Sequence, residues 1–122
     1  MAKKVYPSSL PYPFSAAVRT GDLLFVSGQV GIRDGETGDG IEEQTRFTME
    51  NIRDVLAQAG ASLTDVVKVT VFLTDMSVWP AMNEVYREYF PQDPPARSAL
   101  GATALALPAL LIEIECVAEV GD

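Results

Sequence analysis

A chain of 122 residues, 48% hydrophobic and 21% charged, is long enough to bury one core and too short for two, so residues 1–122 are read as one domain. Seventeen acidic against nine basic side chains, a net charge of −8, leave no basic field to neutralise phosphates, which argues against sequence-independent binding of RNA or DNA. With no histidine and one cysteine, neither a zinc site nor a Ser-His or Cys-His nucleophile can be built, and any chemistry must come from carboxylates, arginine, hydroxyls, backbone groups and water.

The N-terminal stretch "MAKKVYPSSLPYP" has two lysines with no apolar run behind them. The longest apolar stretch, "ALALPALLI" at 104–112, is broken by Pro108 and far short of a membrane span, so the expected compartment is the cytoplasm. "AAVRT", Gly21-Asp22 and "LLFVSGQV" predict a hairpin, because a Gly-first two-residue loop suits a type II′ turn. The glycine-rich "GIRDGETGDGIEE" lacks the Gly-Lys-Ser/Thr ending of a phosphate loop and the Asp-x-Asp-x-Asp-Gly core of a calcium loop, and reads as a surface loop. Over 42–59, Phe47, Ile52, Val55, Leu56 and Ala59 recur at helical spacing, with Gly60 where a C-terminal cap would stand. "DVVKVTVFLTD" at 65–75 is β-branched and strand-like. Pro80 fits the first turn of a second helix, with Ala81, Val85, Tyr86 and Tyr89 on its inner stripe. Residues 97–103 and 111–119 supply the last two strands. In the second of these, Ile112, Ile114, Cys116, Ala118 and Val120 alternate with Glu113, Glu115, Val117 and Glu119. Cys116 therefore lies on the apolar face, and a lone cysteine fits a reducing compartment.

Strand, strand, helix, strand, helix, strand, strand describes an α+β sandwich with both helices on one face of the sheet. The other face stays uncovered and several of its residues are apolar, which closed homo-oligomerisation would resolve. Glu113 and Glu115 share a strand face roughly 6.5 to 7 Å apart, ordinarily a solvated pair; the distance alone would allow a glycosidase dyad, but two groups on one short strand leave little of a sugar cleft between them. In "DPPARSALGA", at 93–102, two prolines deliver Arg97 onto the start of a strand. Taken alone, it reads as a loop arginine paired with a surface carboxylate.

Read together, "FVSGQV" (25–30), "DVVKVTVFLTDM" (65–76), "MNEVYREYFPQDPPARSA" (82–99) and "IEIECVAEV" (112–120) resemble, in order and over nearly the whole chain, the signatures of the RidA/YjgF family. The resemblance implies a chorismate-mutase-like fold with a mixed sheet, a homotrimer enclosing a central barrel, and clefts between subunits. It also implies cofactor-free hydrolytic deamination of enamine and imine intermediates such as 2-aminoacrylate, giving a 2-oxo acid and ammonia. On that resemblance Arg97 is the carboxylate-binding arginine, Glu113 positions and activates water, the Gly28 backbone amide helps hold the carboxylate, and Asn83 is a polar cleft residue. Two positions depart from the pattern. Phe14 stands where characterised deaminases have tyrosine, and Ala99 where many members have cysteine. The partners expected are the homotrimer itself and a small carboxylate-bearing imine, enamine or 2-oxo acid, with neither nucleic acid nor membrane. Phe14 favours an alternative, a catalytically weak trimer that binds small carboxylates or regulates. The endoribonuclease label of some relatives ranks last, against the acidic charge and the missing histidine.

Overall fold

A computed structural model, describing residues 2–121, builds the chain around one six-stranded sheet. Its strands are β1 (Lys4–Pro7), β2 (Ser15–Thr20), β3 (Leu23–Val30), β6 (Val66–Leu73), β7 (Ala96–Gly101) and β8 (Ile112–Glu119). The order across the sheet is β1-β2-β3-β8-β6-β7, with β6 and β7 parallel and every other neighbouring pair antiparallel. The last two strands therefore do not pair with each other: β6 lies between them. Two helices, α1 (Gly40–Gln58) and α2 (Trp79–Tyr89), pack on one face, as expected for an α+β sandwich.

The hairpin joining β2 to β3 turns at Gly21 and Asp22, and only Gly21 has a positive φ, +57°, as a type II′ turn requires. Three strands escape the sequence reading. β1 has only four residues, Lys-Val-Tyr-Pro, too few for an apolar alternation to betray it. The other two, β4 (Ile32–Arg33) and β5 (Glu36–Thr37), form a small hairpin inside the glycine-rich segment expected to be a plain surface loop. Its tip, Asp34-Gly35, has positive φ at both residues, the type I′ pattern that an Asp-Gly pair favours. Glycine is also needed nearby for a different reason. At the buried Gly31 and Gly38, any side chain would run into Gln44 of α1.

α1 starts two residues before the expected position 42, and its buried face is Gln44, Thr45, Thr48, Met49, Ile52, Val55 and Leu56. Phe47 and Ala59, expected on that face, are only partly buried. The correction is polar: Gln44 goes inside because the loops it ties down need its amide. On α2 the inner stripe is Met82, Val85, Tyr86 and Tyr89, with Met82 taking the place expected for Ala81. Pro80 sits in the first turn, where its missing N–H costs no helical bond. Cys116 is buried in the core, and burial pushes its thiol up to about 12, which keeps it an inert core residue.

The opposite face of the sheet is open. Val5, Val18, Phe25 and Val117 pair in register across β1, β2, β3 and β8, and Val5 and Phe25 are 44% and 46% exposed. An apolar row of this kind is unusual on a surface facing only water. Among the described residues no helix is long and apolar enough to cross a membrane.

Candidate functional site

Arg97 lies on β7 beside Val69 of β6, and both face the helices. Its Nη1 donates to Oδ1 of Asn83 on α2 at 2.8 Å. Its guanidinium carbon stands 4.7 Å from the ring centre of Tyr86 and 5.8 Å from that of Trp79, within reach of cation–π attraction. A depression lined by Asn83, Tyr86, Arg87, Phe90, Pro94 and Arg97 opens beside these groups. Ala99, two residues further along β7 on the same face, is half-buried against the core and does not line the depression.

The arginines of this chain differ in what they hold. Arg33, Arg46, Arg53 and Arg87 pair with Asp54, Glu88, Glu50 and Glu84, and Arg19 donates to the carbonyls of Gly21 and Val120. Among the described residues, Arg97 has no carboxylate partner. In a chain with seventeen acidic residues, that leaves a charged fork available to an anion from outside. The reading of Arg97 as one half of a surface ion pair is not what the structure contains.

Glu113 is on the other side of the sheet. It pairs in register with Val30 of β3 and Phe72 of β6, and its neighbours Ile112 and Ile114 point into the core. Between Val26 and Gln29 the β3–β8 register slips by one residue, a bulge that contains Gly28. A side chain at Gly28 would overlap the Glu113 carboxylate, so the glycine makes room for it. Glu113 is half-buried, and its pKa is raised, first by desolvation and then by repulsion from Glu115. Glu115 is exposed on the same strand face, opposite Thr70. Ser27, next to Gly28, donates from its hydroxyl to the Ser15 carbonyl at 2.6 Å, which ties the segment after Phe14 to this part of β3. Phe14 itself is 48% exposed and stacks on Tyr12, ring centres 6.3 Å apart.

The six expected site residues thus form two groups. Arg97, Asn83 and Ala99 stand together at α2 and β7; Glu113, Gly28 and Phe14 stand together around the β3 bulge. Within one chain the groups are separated by two strand spacings and three residues of strand, roughly 14 Å, and they face opposite sides of the sheet. One small molecule cannot touch both Arg97 and Glu113 of the same chain. A second hollow, lined by Leu63, Val66, Tyr89, Phe90 and Asp93 among others, shares Phe90 with the depression beside Arg97 and, among the described residues, has no cation in its wall.

Trp79 and Tyr86 beside Arg97 were not singled out by the sequence as site residues, although Trp79, Asn83 and Tyr86 are spaced i, i+4, i+7 and so share one helix face. That spacing was the available signal, hidden because Tyr86 also counts toward the apolar stripe.

Residues 7–120 match the family model described as endoribonuclease L-PSP. The chain is 48% identical over 109 residues to the mitochondrial protein mmf2 of Schizosaccharomyces pombe, covering 87% of this chain and 86% of that one. It is 40% identical over 110 residues to the chloroplastic Reactive Intermediate Deaminase A of Arabidopsis thaliana, covering 87% of this chain and 58% of that one. The fold superposes with a TM-score of 0.89 and 37% identity on the crystal structure of Rv2704 from Mycobacterium tuberculosis, a member of the YjgF/YER057c/UK114 family, over 98% of this chain and all of that one. With the match running from β1 through β8, this chain belongs to the endoribonuclease L-PSP family, the RidA/YjgF proteins.

Proposed function

We propose that the protein hydrolyses reactive enamine and imine intermediates of the 2-aminoacrylate type to 2-oxo acids and ammonia, without a cofactor, in clefts between the subunits of a homotrimer. The observation that carries this reading is Arg97, held by an amide and two aromatic rings and, among the described residues, paired with no carboxylate in a strongly acidic chain. Such a group suits a carboxylate-bearing substrate. The opposed placement of Arg97 and Glu113 supports a cleft in which one subunit supplies Arg97 and Asn83 and its neighbour supplies Glu113, Gly28 and Phe14. The open apolar face of the sheet supports the assembly itself.

In this cleft the substrate carboxylate binds the Arg97 fork and the Gly28 amide, and the enamine reacts as its imine tautomer. Glu113 takes a proton from water as the oxygen attacks the C=N carbon. Glu113 gives that proton to the imine nitrogen, forming the carbinolamine, then takes the carbinolamine hydroxyl proton and passes it to the amino group, so that ammonia leaves as the C=O of the 2-oxo acid forms. A carboxylate whose pKa is raised by burial suits a group that must take up a proton and give it back.

Two measurements test the proposal. Imines generated in situ by an amino-acid oxidase or a dehydratase should release 2-oxo acid faster when the protein is present, and light scattering should give three copies of the 13.2 kDa chain. A trimer that binds 2-oxo acids and accelerates no imine in a broad panel would be the binding or regulatory protein instead, the reading that Phe14 favours. A stable monomer would remove the cleft. RNA cleavage stays the weakest reading, with no histidine to act as acid or base and a net charge of −8. The cytoplasm remains the proposed compartment, to be checked by fractionation, since similar proteins are named mitochondrial in fission yeast and chloroplastic in Arabidopsis.

A further inference from the structure

Trp79, Asn83 and Tyr86 occupy one face of α2, and all three meet the same cation. We propose that Trp79 and Tyr86 are positioning residues for Arg97: their ring faces fix the plane of the guanidinium while leaving its N–H donors free. This rests on the reading of Arg97 as the carboxylate-binding group.

An arginine side chain can be held by a carboxylate or by aromatic faces. A carboxylate would fix the guanidinium well, but it would fill the donor fork and neutralise the charge that a substrate needs. An aromatic face attracts the cation through its quadrupole and takes no N–H at all. The guanidinium has five N–H donors, and among the described residues its side-chain hydrogen bond is to Asn83, which uses one. Four remain. Two rings and one amide therefore constrain a long flexible side chain at almost no loss of binding capacity.

Tyr86 supports the inference in a second way. Its hydroxyl is buried and, among the described residues, has no hydrogen-bond partner, so hydrogen bonding does not account for this residue; its ring lies nearest the guanidinium and packs on Phe90 at 5.0 Å between centres. Burial pushes the phenol up to about 12, against the opposing pull of the Arg97 charge, so the ring meets the cation uncharged. Trp79 is 39% exposed at the start of α2, where a substitution does not open the core.

The test compares ring faces with apolar side chains that lack them. Trp79→Phe and Tyr86→Phe keep a face, whereas Trp79→Leu and Tyr86→Leu do not. Rotation of the Arg97 guanidinium, followed by nitrogen-15 NMR of its side chain in the full protein, should be slow in wild type and in both Phe variants. It should be fast in Trp79→Leu. Calorimetric titration with pyruvate should show binding weakened about 3- to 30-fold in Trp79→Leu and changed less than about 3-fold in the Phe variants. Circular dichroism checks that each variant is folded; should Tyr86→Leu fail, Trp79→Leu decides alone. The proposal is overturned if folded Trp79→Leu keeps the slow rotation, or if Phe and Leu at position 79 release the guanidinium equally. Ring-dependent restraint in a wild-type protein that binds no pyruvate would uphold the positioning and remove the carboxylate role of Arg97 instead.

Discussion

The carboxylate of Glu113 occupies the space that a side chain at Gly28 would need. Gly28 has no positive φ, so its role is to be small rather than to permit an unusual backbone. Gly28→Ala should fold, lose about 1–3 kcal/mol from the crowding, and reduce imine turnover at least about tenfold by displacing Glu113. Thermal unfolding and the coupled imine assay measure the two effects. A crowded variant with unchanged turnover would separate Glu113 from the chemistry.

Glu113 is held above the usual carboxylate range, by desolvation first and by Glu115 second, while the residues paired with it, Val30 and Phe72, are uncharged. The ionised form is the base, so kcat/KM should fall on acidification at a pH above that of an ordinary glutamate. Glu115→Gln removes the repulsion and leaves the desolvation, which should move this acid limb to lower pH without abolishing it. Stability has the matching sign. With the folded pKa raised, the contribution of Glu113 is full below the ordinary glutamate pKa and is lost as pH rises through the raised value. Glu113→Gln should therefore be at least as stable as wild type near neutrality while losing turnover. An acid limb that does not move in Glu115→Gln would rule out the coupling.

What was legible in the sequence followed from period. The alternation in 112–120 placed Glu113 and Glu115 on one face and Cys116 in the core, and the Gly-Asp turn fixed the β2–β3 hairpin. β1 was missed because a four-residue edge strand has too few positions to show a period. The β4–β5 hairpin was missed because two-residue strands have none, although Asp34-Gly35 marks its turn. The site residues were found by resemblance, and their division into two groups was invisible, since a strand pattern gives the face of each residue but not the order of strands. Arg97 stands beside Val69 and Glu113 beside Phe72, three residues apart on β6, which puts them on opposite faces.

Gln44 was missed because a polar residue does not count toward an apolar stripe. It is 2% exposed, donates from Nε2 to the carbonyls of Gly38 and Ala109 at 3.1 and 2.9 Å, and accepts from the Leu111 amide through Oε1 at 2.8 Å. It thereby holds the start of β8, two residues from Glu113. Gln44→Leu matches its bulk and strands these groups, each worth about 1–3 kcal/mol when buried, so roughly 2–4 kcal/mol of stability should be lost. Urea unfolding at fixed protein concentration measures it as a lower midpoint with unchanged slope. An unchanged midpoint would mean that water replaces the amide.

Phe14 is exposed, and its neighbour Ser15 is fastened to Ser27 beside Gly28. If the cleft accepts a ring there with or without a hydroxyl, Phe14→Tyr should leave pyruvate binding within about 3-fold of wild type and increase turnover of small imines. The added hydroxyl reaches water at no burial penalty, so stability should change by less than about 0.5 kcal/mol. A marked fall in turnover would indicate a cleft shaped for a more apolar substrate.

Arg97 separates the functional readings most directly. Trp79, the single tryptophan of the chain, stands beside it, so tryptophan emission reports what happens at the guanidinium. Pyruvate should change that emission in wild type and leave it unchanged in Arg97→Ala, which should also lose turnover. Folding and assembly should survive, because no ion pair is broken and the side chain is only partly buried. Arg97→Lys keeps the charge and loses the planar fork. A lysine ammonium can still sit near the rings, but it holds a carboxylate as a point charge, so the C=N carbon is no longer fixed relative to the water on Glu113. Misplacement of about 1 Å can lower a rate about 100-fold. Arg97→Lys should therefore bind pyruvate more weakly and lose proportionally more in kcat than in binding. A lysine variant equal to wild type in both would remove the bidentate role, and an alanine variant equal to wild type would return Arg97 to the surface arginine that its sequence alone suggests.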